Sequence, residues 1–135
     1  MSKKSANPDP LPQLFQEVAP NLAIPDPFDA PSLRCGILGA GGIARTCARG
    51  VPRYSCQSVV AIGSRELSRA TAFAVEMGVP QSGTYGSYEE LVDADDIDAV
   101  YIATPHMRHR DDALLALDAG KPVLVEKAFA TSIDQ

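Results

Sequence analysis

A chain of 135 residues accommodates one domain of moderate size, and 45% hydrophobic with 21% charged residues is ordinary for a globular fold. A formal net charge of −5, with no Lys/Arg run, excludes a nucleic-acid binder that works through a general basic surface. Three cysteines, Cys35, Cys47 and Cys56, form no C-x-x-C pair and have no histidine at ligand spacing, so they read as small buried apolar residues rather than a zinc or disulfide framework.

From Met1 to Pro31 the chain is rich in proline: Pro8, Pro10, Pro12, Pro20, Pro25, Pro27 and Pro31 remove backbone donors and disfavour helix in the residues before them. The prediction is an extended arm over 1–31, distinct from a domain over 32–135. Its apolar residues, among them Leu14, Phe15, Val18, Leu22 and Phe28, leave two readings open: a mobile leader, or an arm lying on the domain or a neighbouring subunit. Lys3 and Lys4 lead into no apolar stretch, which argues against a secretory signal, and no run reaches the length of a membrane span. A cytoplasmic location is expected.

The stretch Cys35-Gly36-Ile37-Leu38-Gly39-Ala40-Gly41-Gly42-Ile43-Ala44 organises the rest of the chain. It reads as a buried strand, a tight turn and a helix N-terminus, where free N–H groups and the helix dipole favour an anion. Gly39 makes the turn, Gly41 and Gly42 let the backbone approach a dinucleotide pyrophosphate, and Ile43 and Ala44 open the helix, with Ala44 allowing close packing on the strand. A G-x-G-x-x-A pattern also occurs as a plain connection. Its weight here comes from context, because a second apolar strand, Ser58 to Ile62, arrives at the spacing of a βαβ unit.

The first helix carries Ile43, Cys47 and Val51 with Ala44 and Ala48 beside them, and Pro52 is expected to end it. A second helix is marked by Leu67, Ala70, Ala74 and Met77, closed by Gly78. Thr84-Tyr85 suggests a short third strand, and Ser87 with Glu90 forms a capping box for a brief helix through Val92. The acidic cluster Asp93, Asp95, Asp96 and Asp98 lacks the glycine and distal glutamate of a calcium loop and reads as a solvated connection. Ala99 to Ala103 is a strand buried on both faces, ending at Thr104-Pro105. A further helix through Ala113, Leu114 and Leu117 stops at Gly120, before a buried strand Val123 to Val125 that ends at Glu126-Lys127.

Continuously apolar strands alternating with helices predict an α/β fold, a doubly wound parallel sheet of the Rossmann type. Ligands bind beyond the carboxyl ends of such strands. That rule brings together Gly39 to Gly42, Ser64-Arg65, Thr104-Pro105 and Glu126-Lys127. NAD-preferring sites place an acid at the tip of the second strand; Ser64 and Arg65 stand there instead and can hydrogen-bond a phosphate, which favours NADP over NAD. Arg69, one turn further, is either a second contribution or a solvated helix residue.

Four ordered motifs, Gly39 to Ala44, Tyr88-Glu89-Glu90-Leu91, Ile97 to Pro105 and Ala119 to Lys127, resemble the N-terminal half of the glucose-fructose oxidoreductase, inositol dehydrogenase and rhizopine-catabolism (Gfo/Idh/MocA) family. The likeness runs from about Leu33 to the chain end, and Ser64-Arg65 with Val125 to Phe129 most resemble its NADP-using dihydrodiol and xylose dehydrogenase branch. The resemblance implies a Rossmann domain presenting a nicotinamide to a sugar, polyol or dihydrodiol-type substrate held by a second α+β domain that lies beyond this chain. It implies that Thr104 and Pro105 line the nicotinamide ribose, that Lys127 assists proton transfer, and that Glu126 orients its loop. His109 matches a family histidine near the cofactor, while His106 stands where asparagine is common; either could simply flank a helix start. Ala128 replaces the more frequent proline. One wall of a site implies no turnover from this chain alone, and a standalone NADP(H)-binding or interaction module is the alternative. Homo-oligomerisation, or a partner supplying the second domain, is compatible with both.

Overall fold

The structure is a computed structural model that describes residues 25–133. β1 (Arg34–Leu38) lies at the centre of a parallel sheet, with β2 (Ser58–Gly63) on one side and β4 (Ala99–Ile102) on the other. β3 (Thr84–Tyr85) extends the sheet beyond β2 and β5 (Val123–Val125) beyond β4, giving the order β3-β2-β1-β4-β5. The order reverses at β1, which creates the crevice where doubly wound sheets take their ligands.

Alternation along β1 explains the two-sided core. Ile37 and Leu38 are both fully buried, yet they point to opposite faces. Ile37 packs with Ala44 and Ala48 of α1 (Gly42–Tyr54) and with Ala70, Phe73 and Ala74 of α2 (Leu67–Met77). Leu38 packs with Tyr88, Leu91 and Val92 of α3 (Tyr88–Val92) and with Ala116 of α4 (His109–Asp118). Alanines on α1 and α4 bring those helices close to the strands.

Several boundaries follow from local chemistry. The Ser87 hydroxyl accepts the Glu90 amide (3.2 Å) at the start of α3. Gly78 ends α2 in the left-handed region at φ 74°. Asp98, one of the acidic cluster, is not merely solvated: its carboxylate accepts both Nε and Nη2 of Arg34, at 3.0 and 2.8 Å, and the Arg34 amide at 2.7 Å. This ties the turn before β4 to the start of β1.

Several expectations need correction. α1 runs through Pro52 to Tyr54, because a proline in the last turn removes only one ladder bond and Ser55 Oγ caps the Val51 carbonyl at 2.7 Å. The core stripe of α2 is rotated onto Phe73, leaving Leu67 exposed. On α4 the buried face is His109, Asp112, Ala113 and Ala116, with Leu114 and Leu117 on its outer side. β5 is an edge strand rather than a buried one, and Leu124 is 67% exposed. The cysteines are only half-buried, and burial pushes the Cys47 thiol up to about 11.

Residues 1–24, most of the proline-rich arm, lie outside the described residues. Its last residues are fastened to the turn before β2: the Cys56 thiol donates to the Ala30 carbonyl (2.8 Å), and the Gln57 amide donates to that of Pro31 (3.0 Å). Among the described residues no helix is long and apolar enough to cross a membrane.

Candidate cofactor site

Three strand tips and two helix starts enclose a cavity of about 310 Å³ at the carboxyl edge of the sheet. Gly39, Ala40 and Gly41 after β1 form one wall, Ser64, Arg65 and Arg69 after β2 a second, and Ala103, Thr104 and Pro105 after β4 a third. A smaller cavity of about 150 Å³ adjoins it, lined by Ile43, His106, His109, Glu126 and Lys127. Thr104 lines both. The residues singled out from the sequence therefore converge on one edge, with Arg69 beside Arg65 in the same cavity.

The glycine turn divides its tasks. Gly39 has φ 98°, and a Cβ built on it would meet the Ala103 carbonyl oxygen at 2.7 Å, so only glycine lets the tips of β1 and β4 come this close. Gly41 is extended, and a Cβ on either Gly41 or Gly42 meets nothing of the chain within 4 Å. α1 begins without a side-chain cap and without an acid in its first turn. Its first amides, at Gly42, Ile43 and Ala44, have no carbonyl within the helix to receive them. An uncapped helix end of this kind can take an anion such as a phosphate.

Ser64 is buried, and its Oγ accepts the Glu66 amide at 3.4 Å, which leaves its O–H available to donate. Arg65 is exposed at the rim. Glu66, which also lines the cavity, brings a carboxylate near these cations. Tyr88 closes the same cavity under the guanidinium of Arg108, 5.4 Å from its ring centroid, while Arg108 pairs with the buried Asp112 at 2.7 Å. Burial and the Asp112 charge hold the Tyr88 hydroxyl above the ordinary tyrosine range, opposed by Arg108, Arg65 and Arg69.

At the second cavity, His109 is fully buried, with Nδ1 2.6 Å from the Ala128 carbonyl oxygen and Nε2 2.8 Å from that of Thr104. It therefore clasps the tip of β4 to the segment after β5. His106 meets it edge-on with ring centroids 5.3 Å apart and faces the cavity that Lys127 lines. The Tyr101 hydroxyl donates to Glu126 Oε1 at 2.6 Å, and the Lys127 amide donates to Oε2 at 2.9 Å. The Tyr101 bond, helped by the Lys127 amide, holds the Glu126 carboxyl below the ordinary range; burial, then the same bond, pushes the Tyr101 hydroxyl up. Glu126 is thus held at both oxygens.

The dinucleotide fits this arrangement on a test independent of the glycines. Thr104 Oγ1 is the buried side-chain polar atom without a partner among the described residues, and Thr104 stands where the two cavities meet. A buried hydroxyl is expected to find a partner, and a ligand spanning both cavities would supply one. Sequence reasoning missed Arg45, whose guanidinium reaches the carbonyls of Ala40 and Gly41, and Tyr101. The signal for Tyr101 was a hydroxyl inside an otherwise apolar strand; for Arg45 there was none.

The family model described as an oxidoreductase family with an NAD-binding Rossmann fold (Gfo/Idh/MocA) matches residues 33–135. Bovine trans-1,2-dihydrobenzene-1,2-diol dehydrogenase is 46% identical over 104 residues, which is 75% of this chain and 30% of that protein. The NADP(+) D-xylose 1-dehydrogenase of Hypocrea jecorina is 40% identical over 114 residues, 77% of this chain and 29% of that one. Among solved structures, a 3-ketoreductase from Actinomadura kijaniata in complex with NADP superimposes with a TM-score of 0.69 at 33% identity, covering 75% of this chain and 32% of that one. The chain spans about 30% of the length of the curated relatives it matches.

Proposed function

The chain belongs to the Gfo/Idh/MocA oxidoreductase family as an NAD(P)-binding Rossmann domain, and from that premise we propose that it presents NADP(H) to a sugar, polyol or dihydrodiol-type substrate. The observation that carries this is the convergence of the glycine cradle, the Ser64-Arg65-Arg69 wall and the Lys127 cavity on one sheet edge, joined at Thr104. When bound, the nicotinamide supplies the hydride donor or acceptor.

The chain's residues then divide the remaining work. First-turn amides of α1 hold the pyrophosphate, with Gly41 and Gly42 permitting close approach. Ser64 and Arg65 hydrogen-bond the ribose phosphate that distinguishes NADP from NAD, and Arg69 adds charge. Thr104 and Pro105 line the nicotinamide ribose, and the Thr104 hydroxyl gains there the partner it lacks. His109 and Glu126 fix the loop that carries Lys127, and the Lys127 amine gives or takes the proton of the substrate hydroxyl. Substrate recognition and exclusion of water fall to a second domain, as the relatives' greater length supports.

The test is a fluorescence titration of the purified chain with NADPH and NADH side by side. Binding of NADPH at least about tenfold tighter than NADH is expected from a charge-assisted contact to the extra phosphate. Equal affinity would overturn the NADP assignment, and binding of neither would overturn the cofactor reading. In a chain carrying the substrate domain, Lys127→Ala should leave NADPH affinity within about threefold while removing turnover.

A further inference from the structure

Arg45 follows the last small residue of the glycine motif and projects back over the turn. Its Nη1 donates to the carbonyl of Ala40 at 3.0 Å and to that of Gly41 at 3.3 Å. Its Nε donates to Glu76 Oε2 on α2 at 2.7 Å, and its guanidinium carbon lies 5.4 Å from the ring centroid of the fully buried Phe73. Glu76 also receives Arg49 at 3.4 Å. One planar group is therefore held by an acid and an aromatic ring of one helix while it grips two carbonyls at the start of another.

We propose that Arg45 is a positioning residue that sets the peptide planes of the glycine turn, and thereby the direction of its amide donors, for a pyrophosphate. The proposal rests on the NADP(H) reading above. A trans peptide places its C=O and N–H on opposite sides. Pinning the Ala40 carbonyl to Arg45 thus turns the Gly41 N–H away from Arg45, and pinning the Gly41 carbonyl does the same for the Gly42 N–H. Gly41 and Gly42 are the residues with most backbone freedom to lose. The Gly41 carbonyl also receives the Arg45 amide at 3.3 Å, whereas the Ala40 carbonyl is held by the guanidinium, so without that group the Ala40–Gly41 plane could rotate and present its oxygen to an anion. Glu76 and Phe73 matter because a long arginine stem would otherwise surrender its own rotamer freedom in gripping the turn.

This reading separates Arg45 from a plain positive charge and from a plain structural ion pair. Lysine at 45 keeps the charge but lacks the planar fork that serves two carbonyls and Glu76 together. A structural role alone would affect every ligand of the domain alike.

The experiment compares the full chain with Arg45→Met, Arg45→Lys and Glu76→Gln, using two probes. NADPH carries the pyrophosphate; adenosine 2′-monophosphate carries only the phosphate that Ser64 and Arg65 would read. Affinities come from fluorescence for NADPH and amide chemical-shift titration for the monophosphate, and the same spectra report folding. NADPH affinity should fall about tenfold in both Arg45 variants and about threefold in Glu76→Gln, with monophosphate affinity unchanged within about twofold. Unchanged NADPH affinity in a folded Arg45→Met, full retention by Arg45→Lys, or equal losses for both probes would each overturn the proposal. Should Arg45→Met lose its native spectrum, Glu76→Gln decides, and unchanged NADPH affinity there overturns it. A wild-type chain that binds neither probe would remove the cofactor reading and this proposal together, whereas a wild type that binds beside unaffected variants removes this proposal alone.

Discussion

Alanine substituted at Gly39 and, separately, at Gly41 places the same added methyl two residues apart and should give opposite results. At Gly39 the backbone has φ 98°, and the new Cβ would lie 2.7 Å from the Ala103 carbonyl oxygen, 3.0 Å from its carbon and 3.1 Å from the Thr104 nitrogen. These are all backbone atoms, so no side chain can swing aside. The left-handed conformation costs an L-residue about 1–2 kcal/mol, and overpacking of this kind adds about 1–3 kcal/mol. The loss is therefore about 2–5 kcal/mol, a large part of a small domain's total stability. For a domain of about 100 residues each kcal/mol moves the melting midpoint by about 4–8 °C, so a fall of at least about 8 °C is expected. At Gly41 the backbone is extended at φ −90° and a Cβ meets nothing within 4 Å, so the melt of Gly41→Ala should match the wild type within about 2 °C. NADPH affinity should nevertheless fall at least about tenfold, and further in Gly41→Val, because the methyl occupies the path of the phosphates. Thermal melts and NADPH titrations on the three chains check this. A Gly39→Ala chain melting like the wild type, or a folded Gly41→Val chain binding NADPH normally, would refute the division of tasks.

Arg65→Ala should weaken NADPH about tenfold or more and NADH by less than about twofold, read by parallel titrations; equal losses would remove the phosphate contact. Thr104→Val, which exchanges a buried unpartnered hydroxyl for a methyl of similar shape, should raise the unfolding free energy by about 1 kcal/mol while weakening NADPH, and loss of stability on urea unfolding would contradict the orphan reading. Arg34 holds the Asp98 carboxyl below its ordinary 3.8, at about 2, so the pair stabilises the fold fully above about pH 4, and that contribution is lost as pH falls through about 2. Urea midpoints between pH 5 and pH 2, on the order of the window set by those two values, should fall less steeply in Asp98→Asn, and parallel curves would show that Asp98 does not titrate with folding.

The sheet and its carboxyl edge were legible because they are written in short-range chemistry. Apolar runs of strand length, Gly78 with its left-handed cap, and the Ser87–Glu90 pair each determine local structure nearly alone. The site was legible as a set of strand tips because parallel sheets place every tip on one side. What escaped depends on which face a helix turns inward. On α2 the bulky Phe73 takes the core position and Leu67 faces out, while on α4 Ala113 and Ala116 face the strands and the more apolar Leu114 and Leu117 face out, since small alanines allow close approach. Pro52 escaped because its effect depends on distance from the helix end, which no local pattern states. Arg45 and Tyr101 escaped because their partners, Glu76 on α2 and Glu126 after β5, lie 31 and 25 residues away in sequence.

Thr104 carries an argument of its own about what the edge is for. Its backbone is held firmly: Ala103 before it donates to the Leu38 carbonyl at 2.9 Å, and its own carbonyl faces His109 Nε2 at 2.8 Å. Its hydroxyl, buried to 5% exposure, has nothing to bond within the described chain. A position serving the fold alone would be better filled by valine, which has nearly the same shape and no polar atom to desolvate. The threonine is thus a small standing cost, borne at the point where the two cavities meet. On the cofactor reading proposed above, a ligand that enters the cleft offsets that cost by bonding it. Because a ligand that binds only the folded chain stabilises it by about 2.7 kcal/mol at a hundredfold excess over its dissociation constant, cofactor binding would more than recover what that hydroxyl withholds from folding.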